Sequence, residues 1–253
     1  LRMPYDPADG EAAEREVRTT AQSVLAERLR PEHPGFWSEA DVDLRGACLI
    51  DMQLFGAVVR TFQAQGAKFI GDTWFNEATF AEDAWFNEAT FSGDASFRKA
   101  VFVQGAWFNA ATFSGDAWFA AAAFKGDTGF GGSIFAKRAG FGEAAFGGDA
   151  FFNEVAFEAD AGFGKATFAK DAWFGKATFS GDTWLQMVAF TGDVGFEDVR
   201  FSRYADFFAT TFAGDVDFGG TAFSRDHAPS WPAGFAEPPG IIWQVAASRP
   251  AAP

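Results

Sequence analysis

The apolar positions of this chain follow neither a helical period nor a simple alternation. From Phe75 to Phe223 a large apolar residue recurs at spacings that alternate between five and six residues. Phenylalanine fills all of these centres but one, where Leu185 stands. Two residues before each centre sits a small one, as in Ala84 before Phe86, Ala117 before Phe119 and Thr128 before Phe130. Residues two apart on an extended chain point to the same side, so each unit offers a large and a small side chain to a common interior. Upstream, the same arrangement runs at a strict spacing of five through Leu44, Leu49, Leu54, Val59, Ala64 and Phe69. A short period sustained this far predicts a solenoid, in which each turn packs only on its neighbours.

The alternation also sets the size of a turn. A four-sided coil contains two five-residue and two six-residue units, 22 residues in all. The extra residue then returns to the same two sides in every coil. With three sides it would migrate from corner to corner. With two, the interior is too thin to pack two Phe rings per turn at normal density. The 22-residue coil stacks Phe75 on Phe97 and puts Leu185 in line with Phe163 and Phe207. It also sets Glu77 beside Lys99, Glu143 beside Lys165 and Glu154 beside Lys176, cross-strand pairs worth roughly 0.2–1 kcal/mol each. At a rise of about 4.8 Å per coil, roughly eight coils make a rod about 40 Å long.

Three segments follow: residues 1–39 as helix and linker, 40–223 as the solenoid, and 224–253 as a Pro-rich cap or tail. The stretch from 10 to 30 has helical spacing, with Val17, Ala21, Val24, Leu25 and Leu29 forming its apolar stripe. Such a helix shields the open end of a stack. In the tail, Trp231, Phe235, Ile241, Ile242 and Trp243 either fold over the last coil or pair two rods end to end as a homodimer.

The run ADVDLRGACLIDMQL, from residue 40, follows the pattern A-(D/N)-L-x-x loosely, and ATFSGDAWF, at 111–119, follows a Phe-rich form of it. On these motifs the chain resembles the pentapeptide-repeat family, in the Phe-rich variant of long actinobacterial members, over roughly residues 40–223. The resemblance implies an all-β, right-handed, four-sided β-solenoid with one unit per face, here behind an N-terminal helical cap. It also implies an alternative function, that of a DNA mimic binding a type II topoisomerase such as gyrase.

Net charge is −14. That argues against direct binding of nucleic-acid phosphates, which takes a basic surface, and permits basic partners or mimicry of nucleic acid. The single cysteine, Cys48, is expected as an outward surface thiol. No apolar run is long enough for a membrane helix. The opening LRMPYDPADG lacks the layout of a secretory leader, and a first residue other than Met suggests a piece of a longer protein. The location expected on these grounds is cytoplasmic.

Candidate chemistry is confined to the outside of the coil. The six-residue units often carry Gly-Asp, which yields two ladders of carboxylates: Asp72, Asp94, Asp116, Asp160 and Asp182, and Asp83, Asp127, Asp149, Asp171, Asp193 and Asp215. Such ladders could bind cations or imitate phosphates, but Gly-Asp is also plain turn chemistry. Trp85, Trp107, Trp118, Trp173 and Trp184 each precede an inward Phe or Leu and so point outward. With Asp149, Asp171 and Asp193 they form the candidate interaction surface, the indoles serving either a partner or the cover of glycine-rich backbone. Thr79, Thr90, Thr112, Thr167, Thr178 and Thr211 are too interrupted to form an ice-binding array and reflect strand preference. His33 and His227 lie near opposite ends of the rod and cannot share a catalytic site. The expected protein is therefore a non-enzymatic scaffold with a protein partner, no cofactor and no metal.

Overall fold

In the computed structural model, which describes residues 12–244, one helix precedes a four-sided parallel β-solenoid. The sides are numbered I to IV in chain order, beginning with the strands Thr73–Trp74, Thr79–Phe80, Ala84–Trp85 and Thr90–Phe91. They belong to sheets of seven, eight, nine and ten strands respectively, and sides I and III are opposite. Most strands are only two residues long, a small inward residue and an outward one on sides I and III, and an outward residue followed by the inward Phe on sides II and IV.

Register confirms the coil. Thr73 pairs with Ala95, Ala84 with Ala106 and Phe91 with Phe113, in each case across two five-residue and two six-residue units. The period is shorter at the start. Asp41 pairs with Thr61 and Cys48 with Lys68, so the first coil consists of four five-residue units. The change falls where centres of Leu, Val and Ala give way to Phe. A coil of rings needs a wider interior, and the added residue on two sides supplies the girth.

The rings stack along each side and meet edge-on between sides. Phe86 and Phe108 have centroids 4.7 Å apart at 1°, while Phe97 meets Phe108 at 5.4 Å and 86°. Both arrangements are favoured by the ring quadrupole. Leu185 is buried in its ladder, its amide bonded to Asp206 O of the next coil. On side III of the narrow coil the sizes are exchanged. Phe62 occupies the small position and Ala64 the centre, and the Phe62 ring approaches Phe86 at 5.2 Å.

Most five-residue units of the wide coils turn through a non-glycine residue with positive φ, while Gly46, Gly56, Gly66, Gly132 and Gly220 take the same position elsewhere. Ala78 N donates to Phe75 O at 3.1 Å around Glu77, whose φ is 59°, the geometry of a type II turn. Lys99, Ala121, Glu143, Lys165 and Met187 repeat it along one corner. The Gly-Asp glycines serve a different need. Gly115 has no positive φ, but a Cβ there would strike the Gly93 carbonyl of the preceding coil. Apart from Gly71, whose φ is 73°, these glycines therefore permit close approach of backbones rather than left-handed turning.

The helix, α1 (Ala12–Arg28), docks on a face other than the one its apolar stripe indicates. Of the stripe, Val17, Ala21 and Val24 are exposed and only Leu25 and Leu29 pack on the core, whereas Arg18, Gln22 and Ala26 are buried. The reason is the open sheet edge beneath. Gln22 Nε2 donates to Ile50 O at 2.6 Å and Gln22 Oε1 accepts from Ile50 N at 2.9 Å. Arg18, held by Glu14, donates to Cys48 O. Polar side chains thus satisfy backbone groups that a further strand would otherwise meet. Cys48 is buried under this helix rather than lying at the surface.

At the other end, residues 225–244 form one irregular coil. Trp231 stacks on Phe207 at 5.1 Å, Phe235 lies over Phe212 at 5.2 Å, and Ile242–Gln244 pairs with Ala222–Ser224. Trp231, Phe235, Ile241 and Trp243 thus pack on their own rod, while Ile242 is exposed. Among the described residues no helix is long and apolar enough to cross a membrane.

Candidate interaction surface

The outward tryptophans do not form one strip. Successive six-residue units are half a coil apart, so they fall on opposite sides. Trp85, Trp107 and Trp173 lie on side III, and Trp118 and Trp184 on side I. Trp85 and Trp107 are neighbours in register, as are Phe151 and Trp173. All are half-buried except Trp184, which is exposed. Part of their area covers glycine. A Cβ on Gly129 would meet Trp107 Cε3 at 2.8 Å, one on Gly140 would meet Trp118 at 2.6 Å, and one on Gly195 would meet Trp173 at 2.7 Å.

The carboxylate ladders occupy opposite corners, before side III and before side I. Each Asp reaches the next coil rather than its own turn. Asp149 N donates to Asp127 Oδ1 at 3.0 Å, Asp171 N to Asp149 Oδ1 at 3.3 Å and Asp193 N to Asp171 Oδ1 at 2.9 Å. Asp72, Asp94 and Asp160 do the same on the other corner. One oxygen of each of these carboxylates is therefore part of the coil-to-coil bonding. The ladder from Asp127 to Asp215 is unbroken, while Arg138 interrupts the other and pairs with Asp116 at 2.8 Å.

Elsewhere the charges pair along corners. Lys99 meets Glu77 at 3.3 Å and Lys165 meets Glu143 at 3.6 Å. Glu154 and Lys176 are aligned, Glu154 N bonding Gly175 O, but make no ion pair. The Asp43 carboxylate, through its hydrogen bond and charge, raises the pKa of the exposed Arg45 above its ordinary value. Thr79, Thr167 and Thr211 lie on side II, and Thr90, Thr112 and Thr178 on side IV, so no threonine array exists. His33 accepts from Gly35 N at 3.0 Å near the helix, and His227 lies beside Ser224 in the last coil. No group of His, Cys, Asp and Glu suited to a metal occurs among the described residues.

One feature of this surface was missed in the sequence. Between Trp118 and Trp184 the outward positions of side I are Gly140 and Gly162, and the adjoining corner holds Gly142 and Gly164. Along that corner an open groove of about 800 Å³ runs from Arg98 to Phe208, over Gly142 and Gly164 and beside Glu143 and Lys165. The signal was available as glycines spaced by one full coil.

A family model described as pentapeptide repeats (9 copies) matches residues 54–101, 86–134 and 141–186. With overlaps merged these matches span half of the chain. The chain belongs to the pentapeptide-repeat family. A comparison with curated proteins returns no match. Membership accounts for the four-sided coil and leaves the outer surface of this pentapeptide-repeat protein to define its role.

Proposed function

We propose that this pentapeptide-repeat protein is a non-enzymatic scaffold whose rigid rod presents its sides to a protein partner. The observation that carries this reading is the aromatic pair Trp85 and Trp107. They stand side by side outside a core that is already filled with rings. Aromatic side chains part-exposed on a rigid support are efficient partner contacts, because little side-chain freedom is lost on binding. The test is affinity capture from the source cell, followed by rebinding of the purified partner. Changing Trp85 and Trp107 to Ser should abolish rebinding while the rod stays folded. Turnover of a hydrolase or transferase substrate that survives repurification and disappears on mutating His33 or His227 would overturn the non-enzymatic part.

A second reading, a DNA mimic acting on a type II topoisomerase, draws on the unbroken ladder from Asp127 to Asp215. Rungs about 4.8 Å apart give a dense line of negative charge. Against it, these carboxylates already serve the coil, and a coil with two six-residue units makes a wider rod than one of five-residue units alone. A supercoiling assay decides. Inhibition by the parent protein that is lost on reversing Asp149, Asp171 and Asp193 to Lys in a variant whose circular dichroism shows the rod still folded would establish mimicry and remove the scaffold reading.

A further inference from the structure

The groove along the corner after side I differs at its two ends. At one end Arg98 lies over the Trp118 ring, 5.0 Å from its centroid. At the other, Trp184, Met187 and Phe208 are exposed, Phe208 by 62%. Its floor is Gly142 and Gly164. The charged groups along it are compensated in part. Lys165 has Glu143 and Arg138 beside Trp118 has Asp116, while Asp206, at the Phe208 end, accepts from Phe208 N and Ser230 Oγ but has no cation. Among the described residues Arg98 meets no carboxylate within ion-pair distance. The groove therefore carries an uncompensated positive charge at one end, and at the other an exposed apolar cluster beside the hydrogen-bonded Asp206 carboxylate.

We propose that this groove binds an extended segment of a partner protein, with an acidic side chain on Arg98 and an apolar one on Phe208 and Met187. This rests on the scaffold reading and names the chemistry of one partner surface. Charge complementarity sets the acidic end, since a carboxylate there meets a cation already oriented by an indole. The length favours a peptide. Arg98 and Phe208 stand five coils apart, a span of roughly 24 Å at about 4.8 Å per coil. An extended chain covers that in roughly seven residues at about 3.3 Å each. The bare glycine floor lets a peptide backbone approach that of the rod, as in other recognition along β-structure.

The test uses the whole protein and labelled twelve-residue peptides that carry Asp and Phe separated by three to nine Gly-Ser positions. Fluorescence polarisation should give the tightest binding when the two residues are six to eight positions apart. Replacing the peptide Asp by Lys should weaken binding by about tenfold, and Arg98→Glu should reverse that preference. Gly164→Arg should block the floor. A Cβ there meets Gln186 Oε1 at an ordinary 3.6 Å, so the coil tolerates it. Phe208→Ser, at an exposed position, should also lower affinity by about tenfold or more and serves if the arginine variant fails to fold. Binding at no spacing, binding indifferent to spacing, or binding unchanged in both variants overturns the proposal. So does self-association in sedimentation that Gly164→Arg removes, which would give the groove to a second copy of the chain. A captured partner that Gly164→Arg retains and Trp85→Ser with Trp107→Ser loses would sink the groove and leave the scaffold standing.

Discussion

The Gln22 carboxamide exchanges two hydrogen bonds with the backbone of Ile50, 2.6 Å to its carbonyl and 2.9 Å from its amide. A side chain on a helix thus takes the place of the next peptide group in the sheet. Gln22→Ala should leave both buried backbone groups unpaired and lower stability by about 2–6 kcal/mol, on the order of 1–3 kcal/mol per group. Gln22→Glu should also be destabilising, since a carboxylate cannot donate to Ile50 O. Hydrogen exchange at the Ile50 amide should accelerate in both variants. An unchanged exchange rate would show that the helix does not protect this edge.

The interior should behave as a column of rings. Phe130 stacks between Phe108 and Phe152 at 4.9 and 5.1 Å and is fully buried. Phe130→Ala should cost about 3–5 kcal/mol through lost transfer energy and the cavity it leaves. Phe130→Leu should cost much less, because Leu185 already fills such a position. Thermal unfolding of the two variants checks the order.

The Asp ladder should answer to hydrogen-bond capacity more than to charge. Asp171 accepts from Asp193 N at 2.9 Å, and its own amide donates to Asp149. Asp171→Ala should destabilise by roughly 1–2 kcal/mol, the scale of a charge-assisted bond to backbone. Asp171→Asn keeps an acceptor and removes one of several like charges in line, so its loss should be smaller. Raising salt should stabilise the parent protein more than the Asn variant. Equal melting of the Ala and Asn variants would remove the structural role assigned to the carboxylate.

How much of this was legible beforehand differs from part to part. The alternation of five and six residues determines the coil because a ladder aligns only if the extra residue returns to the same sides, and Leu185 falls into place by counting. The helix misled because apolar spacing marks the face a helix buries only when its partner is apolar. Here the partner is a sheet edge with unpaired amides and carbonyls, so Arg18 and Gln22 are buried and Val17 is exposed. That same packing buries Cys48. The tryptophans were legible as outward, but their division between sides I and III follows from the step between six-residue units being half a coil. Glycine does turn the chain at Gly46, Gly56, Gly66 and Gly132, but most left-handed corners of the wide coils hold residues such as Glu77, Lys99 and Ala121, and Gly115 is needed for approach.

Those left-handed corners should be places to gain stability. Ala121 has a φ of 56° and Ala110 one of 55°. An L residue in that region costs on the order of 1 kcal/mol, a cost glycine avoids. Glycine loses more backbone freedom on folding, which offsets part of the gain. Ala121→Gly should therefore be neutral to mildly stabilising, and Ala121→Val, with a β-branched side chain, clearly destabilising. Gly132, at the position equivalent to Ala110, already has a φ of 67°. Gly132→Ala should lose stability where Ala110→Gly does not, and denaturant midpoints of the two variants check the difference.

The interior threonines offer a larger gain. Thr73, Thr128 and Thr183 are buried beside the rings with hydroxyls that find no partner. Thr210 and Thr221, by contrast, bond the carbonyls of Leu185 and Phe196. A buried hydroxyl without a partner costs about 1–3 kcal/mol, and an apolar group of the same shape removes that cost. Thr128 lies on side III in the same ladder as Val194, which is buried at the same position three coils on. The backbone thus already accommodates valine there. Thr128→Val should raise stability by about 1 kcal/mol, whereas Thr221→Val should lower it by removing one of the two hydrogen bonds that Phe196 O accepts, leaving only that from Val199 N. If both valine variants melt below the parent, the hydroxyl of Thr128 has a partner after all.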